Sequence, residues 1–148
     1  MGIRHDLKNQ LSAEQAFTGG ATVSTNSYYK QTAAQDLSIG RRMALRCIVT
    51  TAAGAGSTHL FQAIQADNAA LTTNKEVLGA VSGLLAANLT KGTIVEVPIP
   101  QGSMTRQYIG FQNSSSGGTT TISLDVYLVP QDENEYYKSF PKKNHPTL

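Results

Sequence analysis

Thr119-Thr120-Thr121-Ile122-Ser123-Leu124-Asp125-Val126-Tyr127-Leu128-Val129 sets apolar residues at every second position. Successive side chains of an extended strand point to opposite faces, so Ile122, Leu124, Val126 and Leu128 share one face. Ser123, Asp125, Tyr127 and Val129 take the other. Pro130 ends the run, because it has no backbone donor to continue a ladder. The same period governs Arg42 to Thr50, where Met43, Leu45, Cys47 and Val49 oppose Arg46 and Thr50. It returns in Thr93 to Pro98, where Val95 and Val97, continued by Ile99, face a core and Glu96 faces out. Repeated runs of this kind, separated by Gly, Ser, Thr, Asn and Pro breaks, predict an all-β chain built as an antiparallel sandwich or barrel.

Further from these runs the pattern is less regular. Met1 to Gly20 is polar with scattered apolar residues and is expected to be an extended N-terminal segment, with room for a short element at Leu11 to Phe17. Ala21 to Tyr29 reads as an early strand, and Asp36 to Arg41 as a loop. Ala53-Gly54-Ala55-Gly56-Ser57 breaks the chain before a strand from His59 to Ala66. Its register is open, since either Leu60, Ile64 and Ala66 or Phe61 and Ala63 can face inward. The next run is expected to be a strand to Val81, then a helical turn or two from Leu84 to Leu89 with Ser82 as cap. Pro98 and Pro100 place their strand at an edge. Ile109 and Phe111 point inward, and Asn113 to Gly118 reads as a hairpin loop leading to the strand that ends at Pro130.

The 148 residues suit one domain with one core. The expected division is residues 1–20 as N-terminal segment, 21–130 as the β domain and 131–148 as a C-terminal arm. Tyr136, Tyr137 and Phe140 in that arm are the residue types that bury surface on binding. Only 15% of residues are charged, below the roughly 25% of typical soluble domains, a surface suited to wide contact with protein neighbours. A net charge of +2, with Arg41-Arg42 and Lys142-Lys143 as adjacent basic pairs, lacks the dense footprint of a nucleic-acid binder. No apolar span is long enough for a membrane helix and no signal-peptide pattern is present, so membrane insertion and secretion by that route are disfavoured.

Chemistry is sparse. His5, His59 and His145 have neither HxH nor HExxH spacing, so no metal is expected, and His59 reads as a solvent-facing or locally bonded strand residue. Cys47 falls among apolar strand positions and reads as a buried thiol. Asp125 and Glu96 are outward carboxylates whose one chemical reading is a pair across a glycosidase-like cleft, though isolated carboxylates of this kind are ordinary; Ser115 lacks a GxSxG elbow, and the Gly54 and Gly56 loop lacks a phosphate-binding lysine. The expectation is a protein that is not an enzyme, with no catalytic residue and no cofactor.

Leu11-Ser12-Ala13-Glu14-Gln15-Ala16-Phe17, Asp36-Leu37-Ser38-Ile39-Gly40, Leu60 to Asp67, Val95-Glu96-Val97-Pro98-Ile99-Pro100 and Thr121 to Val129 follow one another in an order that resembles the tailed-phage capsid cement, or head-stabilising, proteins of the Bordetella phage type. The likeness runs from about Leu11 to Pro130. It implies an antiparallel jelly-roll-like β-sandwich with extended N- and C-terminal segments. It also implies a structural protein on the outer surface of the virion capsid that clamps neighbouring major capsid subunits.

The expected partners are the major capsid protein and the chain itself, as homodimer or homotrimer, with no direct nucleic acid and no membrane. Tyr28, Tyr29, Arg41, Arg42, Tyr136, Tyr137 and Phe140 are the candidate interface residues, since aromatic and arginine side chains contribute most at interfaces. A carbohydrate- or receptor-binding β-sandwich module of a virion is the alternative.

Overall fold

In a computed structural model, residues 9–30, 42–118 and 120–130 are described. Among these described residues nine strands form two antiparallel sheets: β1 (Gln10–Phe17), β2 (Ala21–Val23), β3 (Tyr28–Tyr29), β4 (Met43–Thr51), β5 (Thr58–Ala66), β6 (Glu76–Leu85), β7 (Ile94–Ile99), β8 (Tyr108–Ser116) and β9 (Ile122–Pro130). One sheet has four strands in the order β1-β9-β4-β7. The other has the order β2-β8-β5-β6, with β3 also beside β8.

The two runs with the cleanest alternation lie side by side at the centre of the four-stranded sheet. Leu45 pairs with Leu128, Cys47 with Val126 and Val49 with Leu124, so both apolar faces point the same way. Phe61, Ala63, Ile109 and Phe111 of the other sheet meet them in one core. Phe111 stands edge-on to both Phe17 and Phe61, with ring centroids 5.3 and 5.4 Å apart. β7 is an edge strand, as Pro98 within it favours.

β5 resolves its open register by using both faces. Phe61 and Ala63 enter the main core, while Ile64 and Ala66 form a second cluster with Leu71 on the opposite face. Leu71 belongs to the β5–β6 connection and folds back over Gly110, where any side chain would collide with it.

Four expectations are corrected or sharpened. The short element allowed for at Leu11 to Phe17, within the extended N-terminal segment, is a full sheet strand, β1. Its polar sequence conceals this because the strand slips register twice against β9. At the second slip Glu14 has φ 47°, and its N–H donates to Asp125 Oδ1 at 2.6 Å. The early strand from Ala21 to Tyr29 is two short strands, β2 and β3, each paired with a different part of β8.

Of the helical turns expected from Leu84 to Leu89, Leu84 and Leu85 are instead the end of β6, and only Ala86–Asn88 forms a short 3-10 turn. Gly83, at φ 69°, absorbs an extra residue in β6 as Phe61 pairs with Val81 and His59 with Leu84. Ser82 is a strand residue, and the short 3-10 turn at Ala86–Asn88 has no side-chain cap. Finally, Asn113–Ser116 is strand, and β8 and β9 are not hairpin mates, because they belong to different sheets. The polar side chains of that stretch find partners within the fold: Asn113 meets His59, and Ser115 Oγ donates to the carbonyl of Gly19.

Candidate functional site

The outward positions of the five-stranded sheet make its most uniform surface. On β5, Thr58, Leu60 and Gln62 alternate with the inward His59, Phe61 and Ala63. On β8, Gln112, Ser114 and Ser116 alternate with the inward Phe111, Asn113 and Ser115. The register aligns these positions into three rows, Gln112 with Gln62, Ser114 with Leu60 and Ser116 with Thr58. β6 extends the rows with Ala80 opposite Gln62 and Leu85 opposite Thr58. None of these side chains carries a formal charge. Leu85 is 52% exposed, and beside it Thr58, Leu60, Gly83, Ser114 and Ser116 border an open depression of about 230 Å³.

Amides tie the Gln112–Gln62 row together. Gln112 Nε2 donates to Gln62 Oε1 at 2.9 Å, and Lys75 Nζ donates to Gln112 Oε1 at 2.6 Å from the margin of the face. Charge is concentrated at the other end of the sheet. There Arg106 bridges Asp67, at 3.1 Å, and Glu76, and Asn74 Nδ2 donates to Asp67 at 2.7 Å. The Asn74 amide first, and then Arg106, hold the Asp67 carboxyl below the usual carboxylate range.

The sequence-chosen interface residues are dispersed. Tyr28 packs on the core, whereas Tyr29 is 51% exposed and its ring lies against Tyr108, with centroids 5.1 Å apart. Arg42 lies beside a shallow depression formed with Pro98, Ile99, Pro100 and Gln101. Arg41, Tyr136, Tyr137 and Phe140, with the whole 131–148 arm, lie outside the described residues. Sequence reasoning overlooked the uncharged face. Alternation within β5 and β8 marks its residues as outward, but only the non-local pairing of these strands brings them together.

His59 is not solvent-facing. It is 1% exposed, with Nε2 2.9 Å from Ser57 Oγ and Nδ1 3.1 Å from Asn113 Oδ1. Ser57 Oγ in turn donates to the Gly54 carbonyl at 2.7 Å. Ser57 and Asn113 are as deeply buried as the ring, and His59 is also among the residues that line the open depression of about 230 Å³.

Asp125 and Glu96 do not face each other across a cleft. They lie on strands separated by β4 and in different rows, with Asp125 opposite Ile48 and Glu96 opposite Arg46. Cys47 is buried, and desolvation pushes its thiol well above the ordinary range. Among the described residues no group of three or more His, Cys, Asp or Glu is placed to hold a metal ion. No protein-family model matches the chain, and no curated protein is similar to it by sequence.

Proposed function

We propose that this protein is a structural cement that binds the outer surface of a tailed-phage head and stabilises contacts between major capsid subunits. The observation that carries the proposal is the uncharged face over β5, β6 and β8. A surface of amides, hydroxyls and small apolar groups loses little hydration when covered, and depletion of charge is typical of the centre of protein interfaces. A standard contact buries about 1,600 Å², and several modest footprints on one shell reinforce one another through effective concentration.

Strand order supports the jelly-roll form of the fold. In β1-β9-β4-β7 against β2-β8-β5-β6, most consecutive strands cross from one sheet to the other, with β2–β3 and β5–β6 as the exceptions, a pattern compatible with the two Greek keys of an architecture common in viral capsid domains. Fold alone does not fix function, so the assignment to a head also leans on the sequence resemblance. Self-association in closed symmetry belongs to the same reading. The exposed ring of Tyr29 favours the alternative, a carbohydrate- or receptor-binding module of a virion, because aromatic faces are used to stack ligands.

Mixing the purified protein with heads that lack it separates the two readings. Saturable occupancy, together with raised resistance of the heads to heat or internal pressure, is the expected result. Failure to bind or stabilise mature heads overturns it, and saturable glycan binding through Tyr29 supports the alternative.

A further inference from the structure

We propose that the outward face of the four-stranded sheet is a docking site for residues 1–8 of the same chain, which cross β9 and β4 as a strap. Ala44, Tyr127 and Val129 alternate with Leu45, Val126 and Leu128, which face the core, so they stand on the opposite side of the sheet. They belong to neither of the two apolar clusters, yet each is 9% exposed or less. Elsewhere this face is open. Ile94 and Pro98 on β7 are exposed, and Ile48 and Asp125 are half-buried. On the other sheet outward burial has a visible cause, Leu71 packed on Ile64 and Ala66.

Strand neighbours alone do not hide Val129. On its β4 side it meets Ala44, whose single methyl is too small to cover it. On its β1 side the ladder ends at Gln10, which pairs with Tyr127. In an antiparallel pair each step forward on one strand is a step back on the other, so the place beside Val129 falls to Lys8. Gln10 Nε2 donates to the Tyr127 hydroxyl at 3.1 Å and pins the chain at this corner of the sheet. The structure contains a single chain, so the cover over Val129 belongs to the same polypeptide.

Reach and chemistry select residues 1–8 as that cover. Crossing from β1 over β9 to β4 takes two strand spacings, about 10 Å, and eight extended residues reach about 26 Å. Burial extends over β9 and β4 and stops before Pro98 on β7, as it must for a short segment arriving from the β1 side. Ile3 and Leu7 supply apolar side chains for Ala44 and Val129, and Arg4 and Asp6 lie between them. The adjoining row of the sheet sets Glu96 beside Arg46, a charge of each sign to meet that pair. The other segments outside the described residues fit less well. Residues 131–148 open with five polar residues, Gln131 to Glu135, next to Val129, and residues 31–41 rejoin the fold at the exposed Arg42 on the open β7 side. The two outer faces then differ in use: one is closed by the chain itself, and the uncharged one stays open to a partner.

Methyl-detected NMR of the full chain tests this. The expected result is Overhauser contact from the Ile3 or Leu7 methyls to those of Ala44 and Val129. Absence of any such contact overturns the proposal. So does contact to Ala44 and Val129 from Leu37 or Ile39, or from the rings of Tyr136, Tyr137 or Phe140, in its place. The variant carrying both Ile3→Ser and Leu7→Ser gives a second reading with a soluble paramagnetic agent. In the wild type Ala44 and Val129 should be as well shielded as the core residue Leu45, and in the variant they should broaden as strongly as the exposed Ile94. Unchanged shielding counts against the strap. Should that variant fail to fold, the wild-type contacts decide alone.

Discussion

Leu71 and Gly110 should behave as one unit in a double-mutant cycle. Leu71 is fully buried against Ile64 and Ala66, with Val23 and Tyr108 packed around them. Leu71→Ala removes three carbons at roughly 0.8 kcal/mol each, and with a small residual cavity the cost is about 3 kcal/mol. A Cβ at Gly110 would lie 2.2 Å from Leu71 Cδ1. Ordinary carbon contacts are about 3.5 to 4 Å, so in Gly110→Ala the leucine must leave its niche, an overpacking cost of about 2 kcal/mol after the small gain from replacing glycine. In the Leu71→Ala background the same methyl enters vacated space and costs about nothing. The double variant should therefore lose about 3 kcal/mol rather than about 5, a coupling of about 2 kcal/mol. Urea unfolding followed by circular dichroism reads this as midpoint shifts of about 1 to 1.5 M at a slope of about 2 kcal/mol/M. Additive losses, within about 0.5 kcal/mol, would show that Leu71 does not occupy the space over Gly110.

Gly79→Ala would place a Cβ 2.1 Å from the Pro98 carbonyl oxygen, and since that neighbour is backbone, β6 and β7 must part. A loss of about 3 kcal/mol is expected in the same urea assay, and wild-type stability would refute the close approach. Because the Asp67 carboxyl is held low, its contribution is complete above about pH 4 and disappears as pH falls through its folded value. Asp67→Asn should thus be less stable than wild type at pH 7, with the gap closing in acid; parallel stability profiles would contradict this. Cys47 should resist a disulfide thiol reagent at pH 8 in the folded protein and react fully in urea, so rapid labelling without denaturant would mean the strand is exposed.

The parts of the fold legible in the sequence are those where one strand face is wholly apolar. β4 and β9 satisfy this, and their inward residues are the ones their alternation selects. β1 does not, because two slips of register break its period and Ser12 points its hydroxyl to the Leu124 carbonyl at a buried position. The end of β8 fails for a related reason. Its Asn and Ser side chains bond to partners tens of residues away, and composition alone makes such a stretch look like a loop. β5 was ambiguous because both of its faces are covered, the second by Leu71 from a connection that reads only as polar. The uncharged face and the His59 contacts share this origin: each residue was visible, but the pairing that unites them is non-local.

The place of β9 has a consequence for how the chain is made. It lies between β1 and β4, so Gln10 at the start of the fold bonds Tyr127 across 117 positions of sequence. During synthesis β1 and β4 emerge with no strand to join them, and β4 has only β7 beside it until the last strand arrives. The four-stranded sheet therefore cannot close on the ribosome before residue 130 has cleared the exit tunnel. Closure then brings together strands far apart in sequence, a topology that folds in milliseconds to seconds rather than microseconds. Chains interrupted before β9 would expose the apolar faces of both sheets, which marks them for aggregation or proteolysis.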